Sequence, residues 1–170
     1  AVVIDVLRAT TTISWALKNG ADSIQVFADL NLLKDKAFKW NQDKRLMLGE
    51  RGGKKIEGFD LCNSPLSMNK ETVQGKRLFM STTNGTKSLK KVQNVEYLFA
   101  MALPNRRAVG ERIISMNKKN VLILGSGWEG SYSLEDSLAA GALVSYIEEN
   151  FNYKVNIAND ELQASKALWE

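Results

Sequence analysis

Short, β-branched apolar runs alternate with segments of helical period along the whole chain, and few architectures accept that pattern. Val2–Val6 is continuous and β-branched, as a strand buried on both faces is. Thr10–Asn19 carries Ile13, Ala16 and Leu17 at helical spacing, with Gly20 placed as its C-cap. Ile24–Ala28, Arg45–Leu48, Lys76–Ser81, Val95–Met101 and Asn120–Leu124 read as further strands, the last of them a buried one. Helices are expected over Asp29–Trp40, Thr86–Val92, Asn105–Met116, Ser133–Asn150 and Asp160–Trp169, and a short strand over Val155–Ala158. The alternation predicts a layered α/β/α fold with a mixed, largely parallel sheet. With no repeat, low-complexity tract or linker, residues 1–170 read as one domain. The chain opens inside an apolar run without a Met and stops in a helical segment, so a longer natural protein, truncated here at both ends, is expected.

The chain contains no histidine, which removes His general acid–base catalysis, Ser-His-Asp triads and His-ligated zinc. Any bound metal is then held by oxygen, which points to Mg²⁺, Mn²⁺ or Ca²⁺. Cys62 is the single cysteine, so no internal disulfide forms, in keeping with a reducing, cytoplasmic setting. No apolar run approaches the ~18–20 residues that cross a bilayer. The formal charge is +4, but the Lys and Arg residues are scattered, with no clustered basic and aromatic face for nucleic acid.

Ligands of open α/β sheets bind beyond the carboxyl ends of strands, and four such ends are chemically unusual here. After the first strand come Asp5, Arg8, Thr10, Thr11 and Thr12. Asp5 suits a metal ligand or a nucleophile, and Arg8 a bidentate grip on phosphate or carboxylate. The competing reading is a helix-capping cluster in which Asp5 and Arg8 pair with each other. The Asp-x-Asp motif of aspartyl-phosphate phosphatases does not fit, because its second acid falls on Leu7.

Gly49–Pro65 is long, glycine-rich and charged, and offers Glu50, Arg51, Asp60, Asn63 and Ser64. Thr82, Thr83, Asn84, Gly85 and Thr86 lie between a strand and a helix, where amides and hydroxyls suit an anion or simply cap a turn. Gly125, Gly127 and Gly130 precede the longest helix without the context of a dinucleotide fingerprint. Ser133 and Asp136 fit a capping box, while Glu135 and Asp136 are also potential Mg²⁺ ligands.

In this order the stretches DVLRATTT (5–12), GERGG…GFDLCNSP (49–65), STTNGT (81–86) and GSGWEGSYSLEDSLAAGA (125–142) resemble the 2-phosphosulfolactate phosphatase family. Cys62 departs from the family's usual Gly-Asn-Ser-Pro, and Ala139 lies near a usual cysteine. The resemblance implies a homodimeric Mg²⁺-dependent phosphatase that yields sulfolactate on the route to coenzyme M. On this reading the metal's carboxylates are drawn from Asp5, Glu50, Asp60, Glu135 and Asp136, and one carboxylate either orients the attacking water or is itself phosphorylated. Arg8 and Arg51 bind the small anionic phospho-acid. Thr10, Thr11, Asn63, Ser64, Thr82, Thr83, Asn84, Gly85 and Thr86 line the substrate. The alternative is a phosphate-binding module without catalysis, which has little use for several carboxylates beside its anion.

Overall fold

The computed structural model describes residues 1–170. Its strands are β1 (Val2–Ile4), β2 (Ser23–Val26), β3 (Arg45–Arg51), β4 (Lys54–Lys55), β5 (Arg77–Ser81), β6 (Phe99–Met101) and β7 (Ile123–Gly125). The helices are α1 (Ala9–Lys18), α2 (Leu30–Ala37), α3 (Lys70–Val73), α4 (Gly85–Lys91), α5 (Arg106–Ser115), α6 (Leu134–Phe151) and α7 (Asp160–Trp169). The layered α/β class with mostly parallel strands stands, but the strands divide between two sheets. One has the order β6-β1-β7, all parallel; the other has β2-β5-β3 parallel, with β4 turning back antiparallel on β3.

The two-residue period of a strand builds the layers. Val2 and Ile4 face Val109, Ile113 and Leu143 of α5 and α6, while Val3 faces the opposite way. There Val3 joins Ala9, Ile13 and Ala16 of α1, together with Leu48, Leu78 and Met80 from the second sheet. α1 is therefore packed between the sheets. The alternate residues Met47 and Phe79 leave the second sheet on its far side, against Leu33 and Ala37 of α2. The order through the molecule is α5 and α6, first sheet, α1, second sheet, α2.

Local chemistry sets several boundaries. Asp29 caps α2 by accepting the Leu32 amide at 2.8 Å, and Asn69 caps α3 by accepting the Thr72 amide at 2.9 Å. Three expectations need correction. Val155–Ala158 is not a strand, because the Val155 amide donates to Glu148 Oε1 at 3.0 Å rather than to a ladder. The strand expected over Asn120–Leu124 is Ile123–Gly125 and is not fully buried. It is the sheet's edge, paired on one side only, and Leu122 just before it is 57% exposed. Ser133 does not form a capping box: it precedes α6 with no side-chain cap bond, and Asp136 turns elsewhere.

Candidate active site

Because β1, β7, β3 and β5 run parallel within their sheets, their carboxyl ends present the four unusual segments, and short contacts tie these segments together. Asp5 leaves β1 buried, 7% exposed. Its Oδ1 accepts the Ala9 amide at 3.0 Å as α1 opens, and its other oxygen lies against Gly85. A Cβ on residue 85 would sit 2.5 Å from Asp5 Oδ2, so only glycine allows α4 to start this close. Burial pushes the Asp5 carboxyl up to about 6. The charges of Asp136 and Glu50 add to that, and the Ala9 and Gly85 amides offset part of it. Asp5 forms no ion pair with Arg8.

The two neighbouring acids are held by backbone. Asp136 Oδ1 accepts the Val6 amide at 2.8 Å, and Oδ2 accepts the Ser126 and Gly127 amides, each at 3.1 Å. It thus ties the ends of β1 and β7. Burial raises its carboxyl, against those amides. Glu50 accepts the Thr83 amide at 2.6 Å, the Thr83 hydroxyl at 3.0 Å and the Gly53 amide at 2.9 Å, tying β3 to the β5–α4 turn. Burial raises the Glu50 carboxyl too, but these donors and Arg51 outweigh it and hold it below its usual value.

Arg8 and Arg51 are half-buried, and neither meets a carboxylate. Arg8 donates to Asn63 Oδ1 at 2.8 Å and lies 3.6 Å from Cys62 Sγ. Arg51 donates to the Glu50 carbonyl at 2.7 Å and to Ser81 Oγ at 2.8 Å. Both guanidinium groups are held by neutral acceptors and form no salt bridge, although the Arg51 charge also reaches Glu50, so Arg8 is the freer of the two for an anion.

The threonines have another task. Thr10 and Thr11 give their hydroxyl protons to the Asp5 and Val6 carbonyls, and Thr86 gives its own to the Thr82 carbonyl. The Thr86 amide in turn donates to Thr82 Oγ1. These three hydroxyls build the turns and give their protons to backbone, and the Thr83 hydroxyl gives its own to Glu50. Asn84 accepts the Glu129 amide at 3.3 Å and so joins the glycine loop to this turn. Asp60 is exposed and accepts the Met47 amide at 2.7 Å, three residues back along β3 from Glu50, rather than joining the other acids. Ser64 precedes a 3-10 turn, and its carbonyl accepts the Ser67 amide.

No three acidic or thiol side chains converge as a ready-made metal cage, so the set of Asp5, Glu50, Glu135 and Asp136 does not assemble as one. Mg²⁺ needs no such cage: it is commonly held by one or two carboxylates, with water and substrate phosphate completing its shell. Asp5 fits that role, being buried beside two further acids with no basic partner. Ser81, which aims Arg51, opens the STTNGT stretch, but sequence reasoning gave it no role of its own. Its part follows from the β3–β5 register, in which Gly49 opposes Ser81, and no local pattern announces it.

The family model of 2-phosphosulpholactate phosphatase matches residues 1–170. A probable 2-phosphosulfolactate phosphatase of Prochlorococcus marinus is 62% identical over 99% of this chain and 69% of its own length. Proteins of the same description from Synechococcus sp. and Thermosynechococcus vestitus are 57% and 50% identical, each over 99% of this chain and 68% and 70% of their own. With the match running from the first residue to the last, and relatives this similar, the chain belongs to the 2-phosphosulpholactate phosphatase family.

Proposed function

We propose that this protein is an Mg²⁺-dependent phosphatase that hydrolyses 2-phosphosulfolactate, or a closely related 2-phospho acid, to sulfolactate and phosphate. The observation that supports the reading is a buried carboxylate, Asp5, that feels the charges of Asp136 and Glu50, together with two half-buried arginines on the adjoining segments, Arg8 and Arg51, that form no salt bridge. Arg8 and Arg51 bind the substrate's oxyanions through charge-assisted hydrogen bonds, which strengthen as charge develops on the transferring phosphoryl group. Asp5 would hold Mg²⁺, which neutralises charge on the phosphate oxygens when bound. Asn63 and Ser81 keep the two guanidinium groups pointed at the site, while Glu50 and Asp136 lock the loops around it. A homodimer in a reducing cytoplasm belongs to the same reading, the lone Cys62 needing no oxidising compartment. No helix is long and apolar enough to cross a membrane.

Phosphate release from 2-phosphosulfolactate tests this directly. Protein stripped with a chelator is expected to be inactive and to recover with added Mg²⁺. Turnover that is equal with and without Mg²⁺ removes the metal from the mechanism, and no release under either condition removes the hydrolase.

A further inference from the structure

Thr10 and Thr11 give their hydroxyl protons to the nearby Asp5 and Val6 carbonyls, but the third threonine of the run reaches a distant segment. Thr12 lies in α1 and is 0% exposed. A helical threonine ordinarily returns its hydroxyl proton to the carbonyl four residues back. For Thr12 that is the Arg8 carbonyl, 3.0 Å away, which already accepts the Thr12 amide at 3.0 Å. The Asn63 carbonyl is nearer, at 2.7 Å, and accepts no backbone amide. A hydroxyl has one proton, and a buried carbonyl without a backbone donor claims it. Thr12 therefore holds Asn63, 51 residues away in sequence.

That bond fixes a stretch with little other support. Asp60 and Leu61 are tied to β3 through the Met47 carbonyl, and Ser64 precedes a 3-10 turn. Between them, the backbone of Cys62 and Asn63 bonds no other backbone group. The Asn63 side chain in turn aims Arg8, whose guanidinium donates to its Oδ1 at 2.8 Å. Arg8 is also the residue from which α1 starts, and its side chain makes no cap bond. A closed ring results. It runs from the Arg8 backbone along α1 to Thr12, across to Asn63, and back to the Arg8 guanidinium. The guanidinium is thus fixed against the helix that carries it. An arginine held in place before its ligand arrives loses less rotamer freedom on binding, and affinity rises accordingly. We propose that Thr12 is the positioning residue of Arg8: through Asn63 it sets where the guanidinium meets the substrate's oxyanion, without touching substrate itself. This inference rests on the reading above in which Arg8 binds the substrate.

A double-mutant cycle on the full protein tests it. Thr12→Val keeps nearly the same shape and removes the hydroxyl. Asn19 Nδ2 donates to the Met68 carbonyl at 2.7 Å further along α1, so the segment is expected to stay docked on the helix. The variant is expected to lower kcat/KM for 2-phosphosulfolactate, and to weaken calorimetric binding of inorganic phosphate, each by about fivefold to tenfold. In an Arg8→Ala background the same change is expected to alter both by less than about twofold, because the side chain it positions is gone. Thr12→Ser, which restores the hydroxyl, is expected to recover most of the natural values. A merely structural threonine would cost the same in both backgrounds. Equal losses with and without Arg8, or a Thr12→Ser protein as impaired as Thr12→Val, overturn the positioning role and leave Arg8 its own. Should Thr12→Val not fold, Thr12→Ala, which leaves space for a water at the Asn63 carbonyl, carries the same cycle. Unchanged kcat/KM and phosphate binding in Arg8→Ala alone take substrate binding from Arg8, and the role of Thr12 falls with it. If nothing turns over while phosphate binding still shows the coupling, the positioning role stands and the hydrolase reading falls.

Discussion

Asp5→Asn is expected to lower phosphatase turnover by about a thousandfold or more while the protein remains folded. Asn keeps an oxygen for the Ala9 amide and nearly the same shape, but it loses the charge that would hold a cation or act on phosphorus. Loss of a charge acting on the transition state, rather than of general binding, lowers kcat and kcat/KM together. Full activity in this variant would remove Asp5 from the chemistry.

The same pair of proteins carries a second signature, read in metal-free buffer. The folded carboxyl of Asp5 is pushed up to about 6, above the ordinary value of 3.8 expected in the unfolded chain. The fold therefore holds this proton more tightly than the unfolded chain does. Stability from this group is fully present below pH 3.8 and is lost as pH rises through about 6. That difference in proton affinity corresponds to on the order of 3 kcal/mol. Denaturant midpoints of the natural protein should thus fall, relative to Asp5→Asn, between pH 4 and 6, and the difference should be flat above that window. Mg²⁺ added at pH 7 is expected to recover stability in the natural protein and not in the variant.

Arg8→Ala is expected to reduce kcat/KM by about tenfold to a hundredfold, as charge-assisted hydrogen bonds are worth roughly 1.5–3 kcal/mol. Arg8 is a cleaner probe than Arg51, because Arg51 also bonds the Glu50 carbonyl and Ser81 and so helps join β3 to β5. Arg8 has no carboxylate to strand, and its side-chain partners are Asn63 and Cys62. Truncation leaves the buried Asn63 Oδ1 with only the Cys62 thiol as donor, so a stability loss of about 1 kcal/mol is expected, which urea melts would verify. Arg8→Lys should fall between the two, since an ammonium keeps the charge and loses the planar fork. Unchanged kcat/KM in Arg8→Ala would exclude the guanidinium from substrate binding.

Local pattern foretold much of the fold. The continuous β-branched run at Val2–Ile4, the strand within Lys76–Ser81 and the final helix Asp160–Trp169 were all legible in the sequence. The division into two sheets was not legible, because β1 pairs with β6 and β7, nearly a hundred residues or more away in sequence. The candidate site divides in the same way. That unusual residues cluster at strand ends was visible; which atoms they bond was not. Ser133 and Asp136 match a local capping box, yet Asp136 is drawn to an amide 130 residues distant. A buried backbone donor at Val6 needs an acceptor, and that tertiary demand outweighs the local cap. The threonines show the same limit: the hydroxyl protons of Thr10, Thr11 and Thr86 go to the carbonyls of nearby residues, an alternative that sequence spacing does not weigh.

The placement of α1 has a mechanical outcome. Because Ala9, Ile13 and Ala16 share one apolar cluster with Val3 on one side and Leu48, Leu78 and Met80 on the other, neither sheet can open without stripping the helix that also bears on its counterpart. The amides of α1 are thus expected to be among the slowest to exchange with solvent deuterium, opening only with the whole molecule. The candidate site, which starts one residue after β1 and feeds straight into that helix, is expected to share its protection.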